Sequence, residues 1–372
     1  MKKIWFSIGS LLAAVVLLLA GCGGGGSSSS ATAPLAPGGQ GVTLSPVTDP
    51  GAGGNATASF SLAVALNDDG QVVGFAETAA NSEFRAAIWT VDVAGATTAV
   101  PTPLPPLAGH TFSAAFAVDD NGQVVGESRG TTEFSAVIWK TATAATPLPP
   151  LVAGRGATAF GISSDGRLIV GEAEDVSFNR RAVIWEVNLD GTIADPVALP
   201  VDAFTIGTLP SRGSVANAVN DNGWVAGEVE DGEGISHAVL WRPGVGGTFI
   251  TTDLRQGLEI SSSAFAINSL GQVVGESELT AGNNAAVIWA DNGEGEFTRT
   301  TIEDTAEATG INDLGRVAGM ATAAPLATVW NAGALIGAPT RLFSTASQAY
   351  DINNSNLVVG AQGGVGFVKK VN

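Results

Sequence analysis

The chain has few of the side chains that most protein chemistry relies on. Its 372 residues include one cysteine, two histidines, two methionines and one tyrosine. One cysteine, Cys22, rules out an intramolecular disulfide and a thiolate zinc cluster, so stability must come from packing. The histidines, His110 and His237, have no metal partner at a spacing such as HExxH. Basic residues are scarce too, 17 against 35 acidic ones, for a formal charge of −18. Such a surface repels phosphate backbones and anionic lipid, making nucleic acid and anionic bilayers poor partners. No long helical periodicity follows residue 21, which points away from an α-helical fold.

A repeat fills the rest of the chain. Ala264 to Trp289 reads AFAINSLGQVVGESELTAGNNAAVIW, and related units run from near residue 60 to the C-terminus. Turn glycines recur at Gly70, Gly122, Gly166, Gly223, Gly271 and Gly315, with Asn356 in the seventh slot. An alanine stands seven residues earlier in every copy, from Ala63 to Ala349, and a second glycine follows each turn, from Gly74 to Gly360. Six copies then reach a tryptophan, at Trp89, Trp139, Trp185, Trp241, Trp289 and Trp330, and Phe367 is the equivalent in the last.

Each fixed position has a physical reading. AFAI is a short strand of small residues, and NSLG is a hairpin turn opened by an Asx side chain and closed by glycine at positive φ. QVVG returns to a glycine suited to a bulge or close backbone contact, and AAVIW is a third strand whose tryptophan fills the gap to the next unit. Copy three, GRLIVG, has one extra residue, read as a strand bulge. After each tryptophan comes a segment such as PTPLPPL near 104 or PVALP near 198; proline is tolerated on an edge, so this is the outermost of four strands.

The two ends complement one another. Copy seven stops after its third strand at GFVKKVN, whereas Gly41 to Val47, GVTLSPV, precedes copy one and resembles a fourth strand. Pairing the two would close a ring without an exposed edge. The expected fold is therefore an all-β, seven-bladed β-propeller of four-stranded antiparallel blades spanning 41–372, closed by the N-terminal strand.

Residues 1–21 pair Lys2 and Lys3 with an apolar run, the pattern of an export signal. The end, Leu19-Ala20-Gly21-Cys22, resembles the lipobox of bacterial lipoproteins, which implies cleavage before Cys22 and its acylation. Residues 22–40, rich in Gly, Ser and Pro, form a tether reaching roughly 20–25 Å. Gly23 rather than aspartate after the cysteine implies the outer membrane or the cell surface of a bacterial envelope. Removal of Lys2 and Lys3 leaves 15 basic residues against 35 acidic ones, a formal charge of −20.

With INxxGxVVG followed by HAVLW at His237–Trp241, and AVIW or AAIW elsewhere, residues 60 to 368 resemble the bacterial extracellular HAF-repeat family. The resemblance is specific at the IN, G, VVG and W positions and loose at the HAF triplet itself. It implies an exported repeat protein and no established activity.

Candidate chemistry is thin. The NDDG, DDNG, SSDG and NDNG turns are too short for a calcium loop, which needs six to eight oxygens including a distant acid. GESRG, Gly126–Gly130, fits the GxSxG pattern, but no helix follows Ser128 and the matching slots read GEAED, GEVED and GESEL. Acidic residues after the second strand are the one feature suited to a binding face, read as loops between second and third strands: Glu127; Glu172, Glu174 and Asp175; Glu228, Glu230, Asp231 and Glu233; Glu276 and Glu278. No cofactor or metal site is expected, calcium being the one candidate; such a face suits a cation, a cationic peptide, a protein or a hydroxyl-rich glycan. The expectation is a non-enzymatic, membrane-tethered propeller offering a binding or scaffolding surface. The alternative is a carbohydrate-active enzyme with paired loop carboxylates.

Overall fold

A computed structural model describes residues 42–44, 60–78, 83–98, 101–201, 204, 210–322, 325–331 and 339–371. The export signal at 1–21, Cys22 and the tether at 22–40 lie outside the described residues.

Seven four-stranded antiparallel sheets stand around one axis as a β-propeller. The chain opens with β1 (Val42–Thr43). Blade 1 is β2 (Ser61–Leu66), β3 (Gln71–Glu77), β4 (Phe84–Thr90) and β5 (Thr102–Leu104); blade 2 is β6 (Phe112–Val118), β7 (Val124–Arg129), β8 (Phe134–Thr141) and β9 (Ala144–Pro147). Blade 3 is β10 (Ala157–Ile162), β11 (Leu168–Glu174), β12 (Arg180–Glu186) and β13 (Val197–Ala198); blade 4 is β14 (Gly213–Val219), β15 (Val225–Glu230), β16 (Ser236–Pro243) and β17 (Phe249–Asp253). Blade 5 is β18 (Ser261–Ile267), β19 (Val273–Thr280), β20 (Asn283–Asp291) and β21 (Phe297–Thr301). Blade 6 is β22 (Thr305–Ile311), β23 (Arg316–Ala321), β24 (Ala327–Asn331) and β25 (Thr340–Arg341); β26 (Ser347–Ile352), β27 (Leu357–Gln362) and β28 (Val365–Lys370) complete the set. In every blade the first strand lies at one edge of the sheet and lines the axis, and the segment after the third strand forms the opposite, outer edge, as expected from the sequence.

The ring closes at the expected seam. β1 pairs antiparallel with β28, Val42 opposite Val368 and Thr43 opposite Phe367, and is the fourth strand of blade 7. Leu44 N–H donates to the Gly366 carbonyl at 2.8 Å. Ser61 of blade 1 ties both partners, its Oγ donating to the Leu44 carbonyl and accepting from Gly366 N–H, each at 3.0 Å. Leu44 is fully buried with Trp89, Leu357 and Val368, so β1 joins the last blade to the first.

Each large third-strand aromatic packs against the preceding blade. Trp139 meets Val73, Ala86 and Leu104 of blade 1; Trp185 meets Ile138 and Leu148 of blade 2; Phe367 meets Val329 and Leu342 of blade 6. A buried ring removes about 150–250 Å² from water. At about 25 cal/mol per Å² this is worth some 4–6 kcal/mol as an upper bound. Where Leu-Pro closes the fourth segment of the preceding blade, the indole also donates to the proline carbonyl: Trp139 to Pro105, Trp185 to Pro149, and Trp241 to Pro200, at 2.8–2.9 Å.

The second glycine of each copy is dictated by the inner strand. A Cβ on Gly74 would stand 1.9 Å from the Leu62 carbonyl oxygen, and on Gly171 2.0 Å from that of Thr158; the other five copies repeat the clash. This approach accompanies a bulge on the facing inner strand, where the register skips from Ala63 to Ala65 and likewise in all seven blades. The extra residue of copy three makes no bulge in β11, contrary to the sequence reading. β11 pairs continuously with β12, and the surplus residue lengthens the turn, where Ser163 N–H reaches the Leu168 carbonyl. A turn absorbs an insertion without breaking ladder bonds, which a strand cannot do.

Candidate functional site: the axial channel

The bulges determine what lines the axis. A bulge turns one extra side chain out of the pleat. Here the skipped residues are Val64, Phe116, Phe160, Asn217, Phe265, Thr309 and Tyr350, and all seven line one axial chamber of about 260 Å³. The hydroxyl of Thr309 and the amide of Asn217 each donate to the key alanine carbonyl of the next blade, Thr309 to Ala349 and Asn217 to Ala264, both at 2.8 Å. Around this ring the repeat symmetry fails. Aliphatic and aromatic side chains dominate in blades 1, 2, 3 and 5, and side chains with polar groups in blades 4, 6 and 7, where Glu307 and Asp351 join the wall.

Beyond the chamber, towards the Asx-Gly turns, a mouth of about 300 Å³ is bordered by Asp68, Asp120, Asp221 and Asp313. It shares Leu66, Val219, Ile267 and Asp351 with the chamber, so the two form one channel. The turns that build the mouth are knotted to each other. The opening Asn of a blade accepts its own turn's N–H and donates Nδ2 to the next blade's carbonyl. Asn220 reaches Asn268, Asn268 reaches Asn312, Asn312 reaches Asn353, Asn353 reaches Asn67 and Asn67 reaches Asp119, at 2.8–3.1 Å. Asp119 and Ser163 have no amide to donate, and there the latch is broken. The IN motif signalled the turn; its second bond, between blades, was not read from sequence.

Burial and mutual repulsion perturb these acids. Burial pushes Asp351 up to about 6, against hydrogen bonds from Leu66 and Ile352 N–H and with Asp68 adding to the rise. Asp120 is raised by burial and by the nearby Asp68, Asp69 and Asp119.

The acids singled out in the sequence fall into two groups, and the loop assignment needs correction. Glu127, Glu172, Glu228 and Glu276 lie inside β7, β11, β15 and β19, directly after the second glycine, and Glu174 and Glu230 end β11 and β15. A strand continuing past the glycine keeps them on the ladder rather than in a solvated loop. The first four are brought together with Glu307 as a belt across blades 2 to 6 on the side of the bulge ring away from the mouth. Glu127 is held by Arg129 at 2.7 Å and accepts from Thr158, Glu172 meets Arg180 at 3.3 Å, Glu228 accepts from Ser263, and Glu276 from Asn284. Burial raises all of them. Glu172 reaches about 7 with Glu127 and Glu228 adding to the rise, Glu276 about 8 with Glu307 and Glu228 adding, and Glu307 about 7; Glu127 and Glu228 move in the same direction.

The second group serves the outer structure. Glu174 accepts from Gly156 N–H at 3.0 Å, and Glu230 faces Arg212 at 3.9 Å. Asp175 opens a turn and binds Arg181 at 2.9 Å; burial works upward on it, but turn N–H groups and Arg181 hold it below the usual range. Asp231 does the same with His237 in place of arginine, and His237 sits between Asp231 and Asp253 at 3.1 and 2.9 Å. Glu278 is buried, accepting from Gly282 N–H and from Ser261. Glu233 stands in the Asp231 turn, which its own N–H helps close.

Ser128 acquires an unexpected neighbour. His110 Nδ1 lies 2.9 Å from its Oγ, and Glu133 is 3.5 Å from Nε2, the order of a Ser-His-acid relay. The hydroxyl is nonetheless fully buried within β7 and accepts from Leu107 N–H, so no substrate carbonyl can reach it. It fastens an inter-blade loop. Among the described residues, no three His, Cys, Asp or Glu side chains are gathered to hold a metal ion.

Comparison with solved structures finds propellers. The BP39L lectin from Burkholderia pseudomallei is 15% identical over 84% of this chain and 98% of its own, with a TM-score of 0.52. The likeness is one of fold. Prolyl oligopeptidase B from Galerina marginata matches with a TM-score of 0.51 at 12% identity, over 82% of this chain and 46% of that one. A putative TolB from Agrobacterium tumefaciens reaches 0.44 at 11% identity, over 68% of this chain and 83% of its own. A scan against protein-family models finds no match, and neither does a search of curated proteins. The resemblance to HAF repeats therefore rests on the motif residues alone.

Proposed function

We propose that the chain is an exported lipoprotein, anchored through Cys22 at the bacterial outer membrane or cell surface, whose propeller is a binding module with its ligand site in the axial channel. The observation that carries the binding reading is the bulge ring. Strands and turns repeat from blade to blade, while the side chains at the axis do not: four are aromatic, and Asn217 and Thr309 are polar. Ligand pockets are concave, largely apolar and supplied with a few convergent polar groups, and this channel answers that description. A binding role needs no activated nucleophile, and the one serine with a relay partner is sealed in the core. Export and anchoring are supported by the basic-apolar start and the Leu-Ala-Gly-Cys sequence.

Two measurements test the reading. Metabolic labelling with a radiolabelled fatty acid should mark the full chain and fail on Cys22→Ala, which should leave the membrane fraction; equal labelling refutes the anchor. A thermal-shift screen of small metabolites, oligosaccharides and peptides should give hits that Val64→Phe abolishes. That substitution narrows the chamber with a side chain that blades 2, 3 and 5 already carry there. Hits indifferent to it, or none, refute the channel as the site.

A further inference from the structure

Which ligand the channel takes can be argued from its wall, and the argument rests on the channel being the binding site. Asp68, Asp120, Asp221 and Asp313 border the mouth, Asp351 belongs to both compartments, and Glu307 faces the chamber. Among the described residues, no lysine or arginine lines either compartment. Acidic residues alone do not make a site, since several here are tied to backbone: Asp313 Oδ1 accepts from Ser269 N–H and Asp351 Oδ2 from Leu66 N–H. A second observation is independent of charge. Asn217 is 2% exposed and lines the chamber, and its Nδ2 is committed to the Ala264 carbonyl. Its Oδ1 is left without a hydrogen-bond partner. A buried acceptor left unpaired is costly, so a donor arriving beside it is favoured.

We propose that the axial channel binds a linear organic di- or polyammonium cation, with one ammonium at the carboxylate mouth, another at the Asn217 side of the chamber, and its alkyl chain against the phenyl rings between. Three features select this class. A cation is drawn by the aspartates of the mouth, in a protein of strongly acidic balance. An ammonium supplies three donors for Asn217 Oδ1 and the carboxylates and is attracted to the faces of Phe116, Phe160 and Phe265. An alkyl spacer suits the apolar ring, which a bare metal ion would not use, and among the described residues no three acidic side chains converge to coordinate one.

The test is calorimetric titration of the exported chain with spermidine. Binding should appear at low ionic strength and weaken as salt is raised, because the mouth charges are screened within about 8–10 Å. Asn217→Leu, which keeps every charge, should weaken binding at least about tenfold, the equivalent of one lost hydrogen bond of about 1.4 kcal/mol. Asp351→Asn, which can still accept from Leu66, should do the same and stands in if the leucine variant does not fold. Val64→Phe should block it. No binding at millimolar spermidine overturns the proposal, as does binding unchanged in both polar variants, which is surface attraction only. Displacement by an equal concentration of calcium overturns it in favour of a metal site. If spermidine fails while a neutral ligand still binds in a Val64→Phe-sensitive way, the cation is wrong and the channel reading stands; if nothing binds in that way, both fail.

Discussion

Leu44→Ala tests ring closure with a single methyl-bearing side chain. Leu44 occupies the slot held elsewhere by Leu104, Leu148, Leu199, Leu254, Ile302 and Leu342, all buried to 3% exposure or less. It sits in the seam cluster with Trp89, Leu357, Val359 and Val368. Truncating a fully buried leucine costs about 2–5 kcal/mol, the transfer term plus the cavity left behind. If β1 belongs to the fold as fully as any fourth strand, Leu44→Ala should cost about as much as Leu199→Ala inside blade 3. Urea denaturation followed by indole fluorescence measures both, and Trp89 reports the seam directly. The shared Ser61 gives a second reading, since Ser61→Ala leaves the Leu44 carbonyl and Gly366 N–H without it, at about 1–3 kcal/mol. A loss under about 0.5 kcal/mol for Leu44→Ala beside a full loss for Leu199→Ala, the level of an ordinary surface change, would refute closure by β1.

Three further outcomes follow from the same geometry. Trp185→Phe and Trp289→Phe remove the same volume, but only Trp185 has a bond to lose, to Pro149, since Trp289 Nε1 has no partner; in chemical denaturation Trp185→Phe should cost about 1–3 kcal/mol more, and equal losses would refute the role of the Leu-Pro carbonyl. Asp119→Asn should restore a donor towards the Ser163 carbonyl and thin the charge around Asp120, raising stability by about 0.5–1.5 kcal/mol; Gln123, which now donates to Asp119 at 2.7 Å, would turn its amide as Gln71 does towards Asn67, and a neutral or negative change refutes the latch. Glu172, Glu276 and Glu307 titrate near 7, 8 and 7 when folded, against a reference of 4.5. Between those limits the folded chain holds more protons than the unfolded one, so their contribution is complete below about pH 4.5 and falls as pH rises through about 7–8. Melting temperature should therefore drop from about pH 6 to about pH 9, and Glu276→Gln should flatten the drop; an unchanged slope refutes the raised value.

Fold and site were unequally legible. The blades could be read because each fixed residue answers a constraint that recurs seven times. Turn glycines have φ near +75° in six copies and Asn356 has +59° in the seventh, and the second glycine is forced by a carbonyl about 2 Å from where its Cβ would be. The seam was legible because a missing strand at one end matched a surplus one at the other. What hid the site is the bulge. Between Ala115 and Ala117, Phe116 reads as one more apolar residue of AFAI, and nothing in period-two alternation says that it leaves the pleat. The belt acids were noticed as a charge run, but a run after a strand reads as a loop. Only the ladder from Gly126 through Glu127 to Arg129 shows that the strand continues.

The same bulge explains how such a regular scaffold can hold an irregular site. The side chains at 64, 116, 160, 217, 265, 309 and 350 line the axial cavity; Asn217 and Thr309 also bond the next blade and Phe116 meets Phe160, but none belongs to the interblade clusters that the third-strand tryptophans and fourth-strand leucines build. Elsewhere on the inner strands substitution meets backbone: a Cβ on Gly161 would stand 3.0 Å from the Asn217 carbonyl, and one on Gly310 2.8 Å from Asp351 Cα. The ladder between first and second strands sets the bulge in each of the seven blades, and the bulge sets which residue faces the axis. The ring around the axis is thus a place where unlike side chains sit on like strands: valine, phenylalanine, asparagine, threonine and tyrosine occupy one structural position in the seven copies.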